Sequence, residues 1–321
     1  MRLLRAITFL VLVGIYAFIS SSLLIFHGPF DGLREYVIDS FTTSRHGYLL
    51  RPLSLFTLSQ KVIDAHDPNL MNGQAGISSL AQAERDFRSL TGDNRIELQT
   101  YKGSTYTANI MLIHDPLRVK VAVTKYLGNV GQSVSEMVQE QGAVAGINGG
   151  AFKDVGWQGT GGVPLGITIA DGKVVESTSS QQPIIGLTRN GALIAGTYTL
   201  PQLKQLNVDE ALSFGPVLIQ NGKNLIHGTG GWGYAPRTAI GQRADGTIIF
   251  VVTDGRFVHG PGNVGASLAD IAQLMQNYGA VVAANLDGGS STTMVYNGKL
   301  VNDPTDILGQ RKVATAWIVT R

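Results

Sequence analysis

The sequence contains no cysteine in its 321 residues. Disulfides, thiolate nucleophiles and cysteine-ligated metals are therefore excluded, and any extracytoplasmic domain must draw its stability from its core. Several catalytic signatures are also missing: there is no G-x-x-x-x-G-K-[ST] phosphate loop, no H-E-x-x-H, no EF-hand spacing and no G-x-S-x-G nucleophile elbow. Charge of one sign is lacking too. Lys and Arg number 25 against 23 Asp and Glu, for a net charge of +2. With no basic stripe, a nucleic-acid partner is not expected.

What is present begins with an uncharged run from Ala6 to Phe26, preceded by Arg2 and Arg5. Its length suits a bilayer-spanning helix, and the positive end is expected to stay in the cytoplasm. Ser20 and Ser22 are small enough for a signal-peptide cleavage site, but the apolar run continues through Leu23–Phe26, which favours an uncleaved anchor. The expectation is a single-pass protein of the cell membrane with its C-terminal part outside the cytoplasm. The organisation reads as a cytoplasmic tip and transmembrane anchor over 1–26, a helical connector over 27–93, and a main domain over 94–321.

In the connector, Leu33–Ile38, Leu53–Ile63 and Ile77–Leu90 have helical periodicity, while His66-Asp-Pro-Asn and Asn72-Gly73 break the chain. His46, Arg51 and His66 have no ligand-like spacing and read as surface or packing residues. From Arg95 the period turns to strand: Ile96–Tyr101, Tyr106–Ile113 and Val119–Val123, with His114-Asp-Pro116 as a turn. Asp171-Gly172, Asn190-Gly191, Asn221-Gly222, Asp245-Gly246 and Asn297-Gly298 each lie between apolar runs, the form of a tight hairpin turn. Their uneven spacing argues against a propeller or solenoid.

Two segments repeat one design. Ser133-Val-Ser-Glu136 has the form of a capping box and leads through Gly142 to an apolar strand ending in Asn148-Gly149-Gly150. Ser267-Leu-Ala-Asp270 does nearly the same. Leu268, Ile271, Ala272 and Met275 share a helix face, Gly279 suits the C-terminal cap, and Ala280–Leu286 runs into Asn285-Leu-Asp287-Gly288-Gly289-Ser290-Ser291. Strands placed side by side in one sheet would gather Asn148, Gly149, Asp287 and Gly288 at one edge. The resulting class is α+β: a mixed β-sheet domain with several hairpins and two helix-strand-GlyGly units, behind a transmembrane helix.

Taken in order, Asn148-Gly-Gly-Ala-Phe152, Gly215-Pro216-Val-Leu-Ile219, Pro236-Arg237-Thr238-Ala-Ile-Gly241, Val251-Val-Thr-Asp254-Gly255-Arg256 and Leu286-Asp-Gly-Gly-Ser290 resemble the phosphodiester glycosidase family. That family includes a lysosomal uncovering enzyme and many bacterial exopolysaccharide-related proteins. The resemblance runs from about Ile96 to Arg321, roughly two thirds of a chain of this length. It implies hydrolysis of the bond between a sugar's anomeric carbon and a phosphodiester, on a sugar-phosphate or glycan substrate of the cell envelope. Ser290 stands where the family loop usually has a third glycine, and Ala151 where a second aromatic is usual. The runner-up reading is a non-catalytic glycan-binding or exopolysaccharide assembly protein, since a fold does not establish an activity.

Such a substrate needs a cation for its phosphate, polar groups for its hydroxyls and a base that directs water at the anomeric carbon. Arg237 is the expected phosphate ligand, with Arg256 in reserve, because guanidinium binds phosphoryl oxygens bidentately; a structural pair with a carboxylate is the rival role for Arg237. Asp287 is expected as base or cation stabiliser and Asp254 as sugar ligand or second carboxylate, a phosphodiester being a leaving group that needs little acid assistance. Asp254-Gly255 otherwise reads as a plain turn. Asn148, Phe152, Thr238, Asn285, Ser290 and Ser291 are expected to line the substrate, and the N–H groups of Gly149, Gly150, Gly288 and Gly289 to cradle the anion. His227 and His259, in glycine-rich loops, read as acid-base groups or rim contacts, with plain exposure as the rival role, and Trp157, Trp232, Tyr234 and Phe257, in similar loops, as sugar-stacking rings, with core packing as theirs. Asp254, Asp287, Asn148 and Asn285 are hard oxygen donors of the kind Ca²⁺ or Mg²⁺ takes, so the cofactor stays undetermined, with no dedicated metal-site spacing.

Overall fold

The computed structural model describes residues 2–43, 47–64, 80–153, 161–306 and 308–321. The chain divides into two compact units: one of Met1–Gly73 with Gly228–Gly233, the other of Gln74–His227 with Tyr234–Arg321.

In the first unit, the uncharged N-terminal run forms a helix over Arg2–His27. Its Leu4–His27 portion has a mean hydropathy of 2.4, long and apolar enough to cross a membrane. A second helix, Asp31–Thr43, and two short ones, Leu50–Leu53 and Gln60–Asp64, follow. Phe26, Ile38, Leu50 and Ile63 bury their side chains together. The breaks expected at His66–Asn69 and Asn72-Gly73 lie outside the described residues.

The second unit extends N-terminal of its first strand. Ala83 and Phe87 are buried, Gln82 Nε2 donates to the Leu193 carbonyl at 3.1 Å, and the Phe87 N–H donates to Asn190 at 2.9 Å. Two buried apolar side chains so close to the domain explain why this stretch leaves the connector.

Among the described residues three large sheets form this unit, together with a two-stranded one of Phe152–Lys153 and Val163–Pro164. The largest has seven strands in the order Ile96–Lys102, Thr107–Ile113, Ile248–Thr253, Thr238–Arg243, Ala280–Leu286, Val217–Gln220, Lys223–Asn224. One five-stranded sheet is built around Gln182–Thr188 and Val208–Ser213. The other runs Lys299–Leu300, Met294–Tyr296, Ala145–Asn148, Thr315–Val319, Val119–Val123. All the pairings are antiparallel. The α+β class stands, its mixed sheet resolved into antiparallel ones. One core joins them: Met111, Phe250 and Val282 from the large sheet, Ile185 and Leu212 from the second, Ile147 and Trp317 from the third.

Local chemistry places the elements as read from the sequence. Ser267 caps the helix Leu268–Asn277, its hydroxyl accepting from the Asp270 N–H while Asp270 accepts from Ser267 in return. Leu268, Ile271, Ala272 and Met275 are fully buried. Ser133 and Glu136 do the same for Val134–Glu140. The five turns join adjacent antiparallel strands, with Asp171, Asn221 and Asn297 at φ of 49°, 52° and 49°, the left-handed backbone a primed turn demands.

Strand Thr238–Arg243 positions what matters most. Thr238 is in register with Val252 on one side and Leu286 on the other. Its two antiparallel neighbours therefore run parallel to each other, and both exit at the same end of the sheet. Asp254 and Asp287 follow those exits, two strand spacings or about 10 Å apart.

Candidate active site

Asn148 knits the two Gly-Gly loops together. Fully buried, it donates Nδ2–H to the Asp287 carbonyl at 2.6 Å, and its Oδ1 accepts from the Thr238 hydroxyl at 2.7 Å and the Thr293 N–H at 3.1 Å. The Asp287 N–H donates to the Gly149 carbonyl at 3.2 Å. The two repeated units do meet, but not as neighbours in one sheet. Strand Ala145–Asn148 belongs to a five-stranded sheet and Ala280–Leu286 to the seven-stranded one, so the loops converge where the ends of two packed sheets abut.

The glycine N–H groups do not form the expected anion cradle. Gly149 donates to the Thr315 carbonyl at 2.9 Å, Gly150 to Thr315 Oγ1 at 3.1 Å, Gly288 to Asp287 Oδ1 at 3.0 Å and Gly289 to the Pro236 carbonyl at 2.8 Å. Donors already engaged in the fold are not free for a ligand. The glycines serve close approach instead: a Cβ on Gly149 would lie 2.5 Å from Thr315 Oγ1, and one on Gly289, at φ +61°, 2.7 Å from Arg256 Nη2.

Asp287 lies partly accessible at the bottom of this junction. Loss of solvation pushes its carboxyl up to about 6. The Ser291 hydroxyl, Arg311, the Gly288 N–H and Arg256 pull the other way without cancelling the effect. Arg311 donates Nη1–H to Ser290 Oγ at 3.1 Å and lies 5.1 Å over the Phe152 ring. Arg256 is exposed, beside Gly289, with no carboxylate at ion-pair distance among the described residues. Arg311 escaped the sequence reading, because nothing in Gly309-Gln-Arg-Lys312 has motif spacing; only the strand that follows, beside Asn148, brings it here.

Arg237, the expected phosphate ligand, is 4% exposed, with its N–H on Thr253 Oγ1 at 2.9 Å and Nε–H on the Ala266 carbonyl at 3.1 Å. Its position at the start of a central strand, flanked on both sides, turns it inward. Asp254 is also buried. Its Oδ1 accepts from the Thr107 N–H at 2.7 Å and Asn263 Nδ2 at 2.9 Å, and its Oδ2 lies 2.9 Å from His259 Nε2. Asn285 is 1% exposed, donating Nδ2–H to the Gly215 carbonyl at 3.1 Å, while its buried Oδ1 has no partner. Ser291 is fully buried beneath Asp287, and Thr238 is consumed by Asn148. Of the rim residues, Phe257 is 57% exposed and His227 is exposed. Trp232 falls in the other compact unit, and Trp157 lies outside the described residues. Among the described residues no three His, Asp or Glu side chains converge as metal ligands. Asn148 and Asp254 already have hydrogen-bond partners on their oxygens.

A family model described as phosphodiester glycosidase matches residues 141–320. The mouse N-acetylglucosamine-1-phosphodiester alpha-N-acetylglucosaminidase is 29% identical over 230 residues, covering 64% of this chain and 43% of the mouse protein. An uncharacterized SPbeta prophage-derived protein of Bacillus subtilis is 27% identical over 211 residues, covering 61% of this chain and 31% of its own. The chain thus spans less than half the length of these curated relatives. A zebrafish catalytic domain of the same enzyme name as the mouse protein, auto-inhibited by its pro-peptide, has the same fold, with a TM-score of 0.58 at 24% identity over 71% of this chain and 82% of that one.

Proposed function

The chain belongs to the phosphodiester glycosidase family, and on that footing we propose that it hydrolyses the glycosidic bond of a sugar-1-phosphodiester, with Asp287 as the base. The observation that carries this reading is a carboxyl pushed up to about 6 by burial, on a loop whose next residues meet two guanidinium groups: Arg311 at Ser290 and Arg256 beside Gly289. A base of that strength is ionised at neutral pH yet still able to take a proton. Water attacks the anomeric carbon, Asp287 takes its proton, and the bond from that carbon to the bridging oxygen breaks with both electrons passing to the phosphate. The products are the free sugar and a phosphomonoester.

Arg256 and Arg311 hold the phosphate of the bound substrate, the part first expected of Arg237. Phe152 sets the plane of Arg311, and Ser290 fixes one of its nitrogens. Asn148 acts through the Asp287 main chain. Asp254, with its oxygens taken by Thr107, Asn263 and His259, serves as an anchor for the neighbouring loop.

The same proposal places the domain outside the membrane, held by the helix Arg2–His27, acting on an envelope or exopolysaccharide phosphodiester. The test is incubation of the full chain with UDP-N-acetylglucosamine or a synthetic N-acetylglucosamine phosphodiester, with and without EDTA. Release of free sugar supports an enzyme, and loss of it with chelator brings in a divalent cation. Tight binding with no release, across several sugars, supports the glycan-binding reading instead.

A further inference from the structure

Arg256 and Phe257 are consecutive non-glycine residues in the left-handed region, with φ of 52° and 66°. Such backbone costs energy and persists only where its surroundings over-determine it, which is most often at a working site. The base of this loop is well held. Gly265 donates to the Thr105 carbonyl at 2.9 Å, Arg256 to the Val264 carbonyl at 3.0 Å, and Asn263 Nδ2 to Asp254 at 2.9 Å. Its outer part is exposed from Arg256 to His259.

Backbone bonds turn this outer part on itself, Phe257 N–H donating to the Asn263 carbonyl at 2.6 Å and Gly260 N–H to Phe257 at 3.0 Å, and His259 is its side chain within ion-pair distance of carboxylates. Its Nε2 lies 2.9 Å from Asp254 Oδ2 and 3.5 Å from Asp303 Oδ2. Asp254 is an immobile partner, buried and already accepting two N–H bonds. Asp303 belongs to a different segment, which reaches the same rim through the Thr305 hydroxyl on the Gly289 carbonyl at 3.5 Å, and a few residues on through Arg311. A single imidazole thus stands between the loop that carries Arg256 and the segment that carries Arg311.

We propose that His259 is a positioning residue: by standing between Asp254 and Asp303 it holds the Arg256 loop against the segment of Asp303 and Thr305 and so sets the Arg256 guanidinium beside Gly289. The inference deepens the phosphate-binding role given above to Arg256 and rests on it. His259 touches no reacting atom in this arrangement. Its effect passes through Arg256, so it must appear in binding of the phosphodiester and vanish when Arg256 is absent. A glutamine, whose amide can donate to both carboxylates, replaces it; an alanine does not.

The experiment uses the full chain and its H259A, H259Q, R256A and R256A/H259A variants. Steady-state kinetics on a sugar-1-phosphodiester is paired with hydrogen exchange at the amides of residues 256–264. H259A is expected to raise KM about tenfold with kcat within about twofold, as loss of uniform binding does. H259Q brings KM back, and the double variant matches R256A within about twofold, the sign of complete coupling. Exchange over 256–264 speeds up in H259A and returns in H259Q. A fall in kcat at unchanged KM would make His259 a proton donor in its own right and overturn the proposal. Additive effects in the double variant, or unchanged exchange in H259A, would overturn it as well. If the wild-type chain hydrolyses no phosphodiester, the functional reading fails by itself, and the exchange comparison alone decides on His259: faster in alanine and restored in glutamine supports the latch, no change refutes it.

Discussion

The amide of Asn148 donates to the main-chain carbonyl of Asp287 at 2.6 Å, so the aspartate is held by a residue from a different sheet. Asn148 also satisfies Thr238 and Thr293. In N148A these two buried donors lose their acceptor. Leaving buried polar groups unpaired costs about 1–3 kcal/mol each, so the variant is expected to lose at least about 2 kcal/mol of stability and most of its activity. Denaturant unfolding checks the first expectation. Unchanged stability would contradict the fully buried geometry.

The pH dependence of kcat/KM follows from Asp287. A carboxyl raised to about 6 must lose its proton before it can accept one from water, so activity is expected to fall as pH drops through about 6. D287N removes that limb and lowers kcat by about 10²–10⁴. Because the folded-state value lies above the unfolded one, ionised Asp287 costs stability above about pH 6. D287N is therefore expected to be more stable than wild type at pH 8, a trade of stability against activity that differential scanning calorimetry would reveal.

Arg256 and Arg311 should be separable from Arg237 in their effects. R256A and R311A are expected to raise KM for a phosphodiester by about 10–100-fold, the worth of one charge-assisted hydrogen bond, with folding intact. R237A removes a buried side chain whose Nε–H donates to the Ala266 carbonyl and is expected to lower stability first. Kinetics and thermal melts on the three variants together distinguish the roles; a large KM effect confined to R237A would return the phosphate to Arg237.

A second raised carboxyl lies away from this site. Glu210 is buried at a strand irregularity, its Oε2 accepting from the Val121 N–H at 2.8 Å and its Oε1 lying 3.2 Å from Lys120. Burial outweighs those partners and pushes it up to about 7. The protonated form favours the folded state, so stability is full below about 4.5 and is lost as pH rises through about 7. E210Q should remove that dependence and stabilise the protein at pH 8 by up to about 3 kcal/mol. Melting curves at pH 5 and 8 check it; an unchanged difference between the two would contradict the burial argument.

Much of the secondary structure was legible because it rests on local chemistry. Ser133 and Ser267 cap helices through residues three positions away, and Asp171, Asn221 and Asn297 turn strands with their own backbone. The meeting of Asn148 and Asp287 was legible from the repeated unit, although the route through two abutting sheets was not, since strand order is set by packing across the core. Arg311, and His259 between Asp254 and Asp303, have no sequence spacing that marks them; loops far apart in the chain bring them together. The burial of Arg237, 4% exposed, was not legible either, because motif position says nothing of burial.

The most direct test of the proposed chemistry is the position of bond cleavage. The full chain would hydrolyse a sugar-1-phosphodiester in ¹⁸O-enriched water, and the phosphomonoester product would be weighed by mass spectrometry. Attack at the anomeric carbon leaves the phosphate without label. One ¹⁸O in the phosphate would mean water had attacked phosphorus, making this chain a phosphodiesterase and contradicting the role assigned to Asp287.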